Sequence, residues 1–307
     1  MESTLSADAS PVEASVPAAP GVVVAVIVDQ PTMVLEEVFG ALGAQDYSNT
    51  QVLVLLTGSD ADELEVVRQI VQATVPTAHI RQLGAHIGFG VAANTALRLV
   101  EGDSGFFLIM HDDVVMAPDA LRILVEELYR SNAGMVGPKF VEWEDSRRLQ
   151  AVGFDCDWFG ELDSAVEPHE LDQEQHDAVR DVFVLSSACV LVRADLFREL
   201  DGFEPSIEFF GEDLDLCWRA HLSGARVVVV PAATARHRAS IVERLASRRS
   251  DSATLIRRAE RHRMATVVSL TGRRRLPIVL PSLVVLTFVQ VLGEIVRGRW
   301  QRALAGL

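Results

Sequence analysis

The fold class of this chain is set by the stretch VVVAVIV at residues 22–28. Seven apolar, mostly β-branched residues in succession predict a strand that is buried on both faces, as in a parallel sheet. Three more strand patterns follow, QVLVLL at 51–56, HIRQL at 79–83 and FFLIM at 106–110, separated by helical patterns near 32–44, 60–73 and 90–100. This βαβαβαβ order predicts a doubly wound, mostly parallel α/β sheet.

The α/β pattern continues beyond residue 110. A helix near 118–130 and a strand near 134–141 precede a polar stretch at 142–181, an apolar run at 182–192, and a helix with a strand at 212–230. Before the sheet, residues 1–20 lack the basic and apolar regions of a signal peptide and predict a disordered leader. The three cysteines have neither CxxC nor zinc-finger spacing, which favours a reducing compartment over a disulfide framework.

Acidic and basic residues are distributed unevenly along the chain. Residues 1–235 carry 13 basic and 39 acidic side chains, whereas residues 236–307 carry 15 arginines and four acidic side chains. An acidic domain repels a phosphate backbone, which argues against nucleic acid as a partner, and a basic tail favours contact with anionic lipid. Ordinary solvated arginines are the alternative for the tail.

The tail also contains LPIVLPSLVVLTFVQVL at 276–292, which carries no charge across 17 residues. About 17 residues is the lower limit for crossing a bilayer, and Pro277 and Pro281 would bend the first turns. A transmembrane helix, an interfacial helix and a buried core helix therefore remain open, with membrane contact as the expectation.

Polar residues that follow the strands are the first candidates for a ligand site, because ligands of such sheets bind beyond the carboxyl ends of the strands. His111, Asp112 and Asp113 come directly after FFLIM. Carboxylates at a strand end can hold Mg²⁺ or Mn²⁺, cations that bridge diphosphate oxygens. A simple helix-capping loop is the alternative.

A second candidate is GEDLDLCWR at 211–219, an amphipathic helix with Glu212 and Asp213 in its first turn. The helix dipole favours an ionised carboxylate there, and such a carboxylate beside a pocket can accept a proton from a hydroxyl. Simple stabilisation of the helix is the alternative. His237, after the strand RVVVV, could complete a metal site with carboxylates from elsewhere, or be structural.

The run Gly88-Phe89-Gly90-Val91-Ala92-Ala93 gives a backbone that can approach a ligand closely, and it also matches GxGxxA. The match raises a rival function, a dinucleotide-dependent oxidoreductase with Asp112 or Asp113 as the ribose ligand. Four residues, 84–87, separate the strand from the glycines, whereas that motif needs the glycines in the turn itself. No hydride-transfer site follows, which also counts against this rival.

Taken in order, these segments resemble glycosyltransferase family 2 over roughly residues 22–240, and within it the rhamnosyl- and galactofuranosyl-type transferases of bacterial cell envelopes. The likeness is carried by LEEVFGALGAQDYSNTQVLVL, by IGFGVAANTAL, by FFLIMHDDVVMAPDAL, and by the segment from SSACVLV to ATARH. It implies an inverting enzyme with a GT-A fold at 21–240, a nucleotide-sugar donor, and Mn²⁺ or Mg²⁺ as the cofactor. Residues 241–307 lie beyond the likeness, and their own pattern predicts an Arg-rich helical tail.

Roles follow from the resemblance position by position. It implies that Asp213 is the general base, and that Asp113 and His237 bind the metal with His111 beside them. The remaining matched positions are Asp29, Gly88, Asn94 and Asp112 on the donor side, and Glu212 and Trp218 on the acceptor side.

The sequence departs from the family pattern at two places. His111 stands where the first Asp of DxD is usual, which leaves open a weaker site, a preference for a softer ion such as Mn²⁺, or binding by Asp113 alone. Thr57-Gly58-Ser59 replaces the usual Asp-containing turn that holds the nucleotide base.

The expected setting is the cytoplasmic face of the cell membrane, because nucleotide sugars are cytosolic. A lipid-linked or cell-envelope glycan is the expected acceptor, by analogy with the family. A catalytically silent, membrane-anchored sugar-binding or scaffold protein is a third interpretation, which His111 permits.

Overall fold

The computed structural model describes residues 19–29, 31–84, 87–100, 105–208, 210–238 and 252–296, so most of the predicted leader lies outside the described residues. The first part contains β1 Val22–Val28, α1 Leu35–Gly43, β2 Thr50–Leu56, α2 Ala61–Thr74, β3 His79–Gln82, α3 Phe89–Ala93, α4 Thr95–Leu99 and β4 Phe106–His111. Short strands and one long helix follow, with β5 Val114–Met116, α5 Ala120–Ser131, β6 Met135–Glu142, β7 Leu149–Ala151, β8 Asp155–Cys156, β9 Leu162–Asp163 and β10 Arg180–Asp181. The last described elements are β11 Cys189–Arg193, α6 Ala194–Glu199, α7 Glu212–Leu222, β12 Val227–His237, α8 Ser252–Leu270 and α9 Leu276–Val296.

Strand β1 lies inside the main sheet, parallel to β2 on one side and to β4 on the other, with β3 parallel to β2 beyond it. Six of its seven residues are buried. Helices cover both faces of a parallel sheet, which is why an uninterrupted apolar strand is stable there. The prediction of a parallel first half is confirmed.

The second half of the sheet is mixed. Strand β11 lies antiparallel between β4 and β6, and β12 is parallel to β6. The order is β10-β12-β6-β11-β4-β1-β2-β3, with β5 on β12 and β7 on β6. Of the apolar run at 182–192, only the part from Cys189 onward is a strand in this sheet. The sheet is therefore mostly, but not wholly, parallel.

The helix predicted near 90–100 is divided in two at Asn94. The Asn94 amide donates to the Phe203 carbonyl at 2.8 Å, and its oxygen accepts from the Phe203 backbone N–H at 2.8 Å. Gly202, at φ 69°, permits this approach, since a Cβ there would lie 2.2 Å from the Asn94 oxygen. Asn94 thus joins two distant segments of the chain.

The Arg-rich segment packs against the α/β fold through α8. Val267 of α8 is buried with Val279 and Leu283 of α9, and Phe159 and Trp218 pack against this cluster. The part of the predicted 241–307 tail that the structure describes therefore shares a small core with α7. The division of the chain at residue 240 stays a prediction.

Helix α9 contains the apolar stretch at 276–292. Within the described ranges, no helix has both the length and the apolar character that crossing a bilayer requires. The helix nevertheless leaves many apolar side chains exposed to solvent, namely Ile278, Leu280, Val284, Val285, Leu286, Phe288, Val289, Leu292 and Val296. Of the three alternatives for residues 276–292, the transmembrane helix is therefore not supported. The helix presents an apolar surface to solvent.

Candidate active site

Three side chains with metal-binding atoms converge where β4, β5 and β12 meet. Strand β4 ends at His111, and His237 of β12 pairs with Val114 of β5, so it lies beside Asp113. The distances to Asp113 Oδ1 are 3.5 Å from His237 Nε2 and 3.8 Å from His111 Nδ1. One ligand atom from each of the three lies within 4.8 Å of the others. The sheet therefore brings together the three residues for which the sequence predicts a metal.

These residues fit a divalent cation. Asp113 is fully buried and His111 nearly so, and a buried carboxylate is costly unless a cation or hydrogen bonds compensate it. Two imidazoles with one carboxylate form a softer ligand set than carboxylates alone, which suits Mn²⁺ better than Mg²⁺. Three protein ligands also leave positions for oxygen atoms of a substrate.

Gln150 of β7 selects the tautomer of the His237 ring. The Gln150 amide nitrogen donates to the His237 carbonyl at 3.0 Å, which directs the amide oxygen at His237 Nδ1, 2.9 Å away. Since an amide oxygen only accepts, Nδ1 carries the proton and Nε2, which faces Asp113, keeps its lone pair. Gln150 lies in the polar stretch at 142–181, where the sequence gives no signal for it.

An unusual turn presents Glu212 and Asp213 at the start of α7. Phe210 has a φ of 62° and Gly211 a φ of 100°, so two successive residues adopt the left-handed conformation. Glycine adopts it freely, but phenylalanine does so at a cost. His262 Nδ1 of α8 donates to the Phe210 carbonyl at 3.0 Å and thereby stabilises the turn.

Both carboxyl groups have raised pKa values. Burial raises the pKa of Asp213, although the Leu214 backbone N–H, 2.8 Å from its Oδ1, opposes the effect. Burial and then the charge of Asp213 raise the pKa of Glu212, whose Oε1 accepts from Ser187 Oγ at 3.0 Å. Glu212 is buried and Asp213 partly buried, and two adjacent carboxyl groups in such surroundings do not ionise together easily.

One cleft of about 390 Å³ joins the two groups. Its lining includes His111 and His237 on one side and Glu212 and Asp213 on the other. A volume of this size is typical of small-molecule sites. The arrangement can therefore hold a cation and, facing it, a carboxylate able to take a proton.

Arg263 of α8 also lines this cleft, and the sequence gives no reason to choose it among the arginines of the tail. Its side chain is only 12% exposed. The guanidinium donates to the Phe159 carbonyl at 2.5 Å and lies 3.2 Å from Glu161. A segment predicted to contact lipid thus supplies one wall of the cleft.

The predicted donor-side residues have different surroundings. Asp29, at the end of β1, accepts a 3.1 Å hydrogen bond from Thr57 at the end of β2, and Asp112 is buried in the turn after β4. A Cβ at Gly88 would lie 2.8 Å from the Glu208 carbonyl oxygen, so this glycine permits close packing of the chain on itself. The Asn94 side chain is hydrogen-bonded to the Phe203 backbone. Gly88 and Asn94 therefore both have a structural role.

Two further predictions are affected by the structure. Gly90 packs against Phe203, since a Cβ there would lie 2.7 Å from the Phe203 Cβ, which removes support for a dinucleotide on the GxGxxA motif. Trp218 does not line the cleft of Asp213. It packs edge-to-face on Phe183, with ring centroids 5.5 Å apart, and lines a second cleft.

Comparison with known sequences identifies relatives. The family model described as glycosyltransferase like family 2 matches residues 18–265. Pre-mycofactocin glycosyltransferase of Mycobacterium tuberculosis is 27% identical over 154 residues, which are 49% of this chain and 30% of that protein. N-acetylglucosaminyl-diphospho-decaprenol L-rhamnosyltransferase of the same organism is 28% identical over 181 residues, 53% of this chain and 59% of that protein. The matches span less than two thirds of either relative.

Comparison with solved structures identifies the fold. GalNAc-T7 with UDP, GalNAc and Mn²⁺ aligns with a TM-score of 0.59 at 11% identity, over 71% of this chain and 43% of that chain. TarS of Staphylococcus aureus, residues 1–349 with UDP, aligns with a TM-score of 0.53 at 17% identity, over 83% and 72%. At these identities the likeness shows the fold alone. The predicted GT-A-like α/β architecture, a mostly parallel, curled sheet flanked by helices, is confirmed.

Proposed function

The chain belongs to glycosyltransferase family 2, and from this premise we propose that it is an inverting, metal-dependent enzyme that transfers a sugar from a nucleotide-sugar donor to a glycan hydroxyl. The observation that carries the proposal is the single cleft lined by His111, His237 and Asp213. It supports a reaction in which a proton leaves on one side and a diphosphate leaves on the other.

In the proposed mechanism Asp213 takes the proton of the acceptor hydroxyl, whose oxygen then bonds to the anomeric carbon of the donor. The bond between that carbon and the diphosphate oxygen breaks on the opposite face, so the configuration inverts. Asp113, His111 and His237 would hold a divalent cation, and its positive charge would offset the negative charge of the departing nucleoside diphosphate.

Glu212 has a supporting part in this mechanism. Burial and the charge of Asp213 raise the pKa of Glu212, which favours a neutral carboxyl group beside the base. The hydrogen bond from Ser187 opposes this shift but holds the carboxyl group in place. With Glu212 protonated, the negative charge of the pair resides on Asp213, which is the state that a general base needs.

The acceptor is proposed to be lipid-linked. One similar protein is named for transfer to N-acetylglucosaminyl-diphospho-decaprenol, and another, from Myxococcus xanthus, for O-antigen biosynthesis. The exposed apolar side chains of α9, next to Arg273, Arg274 and Arg275, support contact with an anionic bilayer surface. The proposed location is the cytoplasmic face of the cell membrane, where nucleotide sugars are available.

The test is turnover of a panel of nucleotide sugars, UDP-sugars first, with Mn²⁺, with Mg²⁺ or with EDTA. Wild type and Asp113→Ala are compared, with Asp62→Ala as the control, because Asp62 is an exposed aspartate of α2. We expect turnover of one donor that requires the cation, is faster with Mn²⁺, and is lost only in Asp113→Ala.

Other results would favour the rivals. Binding of a sugar nucleotide without turnover under any metal condition would favour a silent sugar-binding protein. Binding of NAD(H) in place of sugar nucleotides would favour the oxidoreductase.

A further inference from the structure

A second cleft, of about 490 Å³, shares no lining residue with the first. Its walls are the β8 end with Trp158, the later turns of α7 with Trp218, and the connection between α8 and α9 with Arg273, Arg274 and Arg275. Residues 160–162 line the first cleft and residues 156–158 line the second, so the same short hairpin separates them.

The second cleft is positively charged. The three arginines have exposed side chains and form no ion pair with any residue that the structure describes. Arg275 lies over the Trp158 ring, with its guanidinium carbon 4.6 Å from the centroid. Asp157, the acidic residue of the lining, accepts from the Phe159 and Glu161 backbone N–H groups at 2.8 and 2.9 Å, which occupies its Oδ1. The chemistry of this cleft therefore suits an anion with several oxygens.

The cleft is also continuous with apolar surface. Helix α9 begins at Leu276, directly after Arg275, and Val279 of its second turn lines the cleft. Leu222 of α7, 62% exposed, also lines the cleft. A ligand with a charged head and a hydrocarbon chain would satisfy both parts, whereas inorganic phosphate would leave the apolar part unused.

Helix α7 links the two clefts. Asp213 is in its first turn, and Trp218 and Leu222 follow on the same helix. At 1.5 Å per residue, these two lie roughly 8 Å and roughly 14 Å along the axis from Asp213. One sugar ring with a diphosphate covers a distance of this order. A single acceptor could thus present its hydroxyl to Asp213 and its diphosphate to the arginines.

We propose that the second cleft binds the diphosphate and the first part of the hydrocarbon chain of a lipid-linked acceptor. The inference rests on the proposed glycosyl transfer to a lipid-linked glycan, and it names the residues that would hold that acceptor. Trp158 and Trp218 are positioned to cover the chain where it leaves the diphosphate.

The test is calorimetric titration of the full chain with farnesyl diphosphate, pyrophosphate and farnesol, in EDTA so that no cation on Asp113 attracts the anion. The cleft variant is Arg274→Gln/Arg275→Gln. The charge-matched control is Arg81→Gln/Arg261→Gln, since both arginines are exposed and away from the cleft. We expect farnesyl diphosphate to bind at least about tenfold more tightly than either fragment, and the cleft variant alone to lose about tenfold or more.

Three results would overturn the proposal: equal affinity for pyrophosphate and farnesyl diphosphate, unchanged binding in the cleft variant, or equal loss in the control.

Sedimentation with phosphatidylglycerol vesicles distinguishes binding of a lipid diphosphate from binding of the bilayer surface. Loss of sedimentation with unchanged farnesyl diphosphate binding would assign the arginines to the bilayer. Wild type that binds farnesyl diphosphate but turns over no donor would contradict the proposed function, and the reverse would contradict this site alone.

Discussion

The two sides of the first cleft are built in different ways. His111, Asp113 and His237 follow or end strands, and the hydrogen-bond register of the sheet fixes their positions. Glu212 and Asp213 start a helix after a left-handed turn, and that turn depends on a bond from α8. The geometry of the proposed metal side is thus determined by sheet pairing, whereas that of the proposed base side depends on packing between distant segments. The second arrangement is easier to perturb without unfolding the protein.

The largest effect is expected from Asp213→Asn, which removes the proposed base while keeping its shape. We expect kcat to fall by about 10²–10⁴-fold, the usual contribution of a positioned base, with donor binding nearly unchanged. Steady-state kinetics and donor titration measure both. Asp62→Asn, a first-turn aspartate of another helix, is the control. Near-normal turnover in Asp213→Asn would remove this residue from the role.

A change at Gln150 tests the metal side. Gln150→Leu abolishes both bonds to His237 and frees its ring to adopt the other tautomer. We expect Mn²⁺ affinity to fall by about 10–100-fold, as for other partners of metal-binding histidines. Calorimetry with Mn²⁺ in the presence of UDP measures it, and Gln69→Leu on the surface of α2 should leave it unchanged. Equal affinities would show that sheet register alone orients His237.

A smaller effect is expected on the base side from His262→Ala. The variant removes the His262 donor to the Phe210 carbonyl, a hydrogen bond that stabilises the left-handed turn. We expect the free energy of unfolding to fall by about 0.5–1.5 kcal/mol, the usual net contribution of one hydrogen bond. Chemical denaturation measures it, with His79→Ala, an exposed histidine of β3, as the control. If stability were unchanged while turnover fell, the turn would matter for chemistry only.

The pH dependence of stability tests the base side of the cleft through Glu212. Because folding raises the pKa of Glu212, the folded protein holds a proton that the unfolded chain releases. Its stabilising effect is complete below the ordinary glutamate range and is lost as the pH rises through the raised value. Glu212→Gln should therefore be less sensitive to pH in this interval than wild type. Thermal melts at several pH values measure it, and parallel curves for the two proteins would contradict the raised pKa.

The sequence was sufficient for the regular part of the fold. Strands β1, β2 and β4 lie within one residue of their predicted bounds, because an apolar run between turns specifies a buried strand by itself. The family resemblance, and not periodicity, predicted that His111, Asp113 and His237 share one site, because no local sequence pattern relates residues more than 120 positions apart. Their roles in binding and catalysis stay predictions.

Other features could not be predicted because they depend on contacts that no local pattern encodes. The break at Asn94 requires Phe203, more than a hundred residues away. Gln150 is one amide in a polar stretch without periodicity. Arg261 and Arg263 are equivalent in sequence, yet Arg261 is exposed and Arg263 is almost buried against Phe159. Packing, and not composition, decides which arginine of the tail belongs to the site.

The position of α8 also determines where the chain can be shortened for laboratory work. A truncation after residue 240 would remove the apolar helix α9, and with it the apolar side chains that this helix exposes. It would also remove His262 and Arg263, and so one wall of the cleft and the support of the turn before α7. A boundary just after Leu270 keeps that wall, but it also removes Val279 and Leu283 and so uncovers Val267 and Trp218. Expression trials for crystallisation should therefore compare a chain that ends there with one that retains α9.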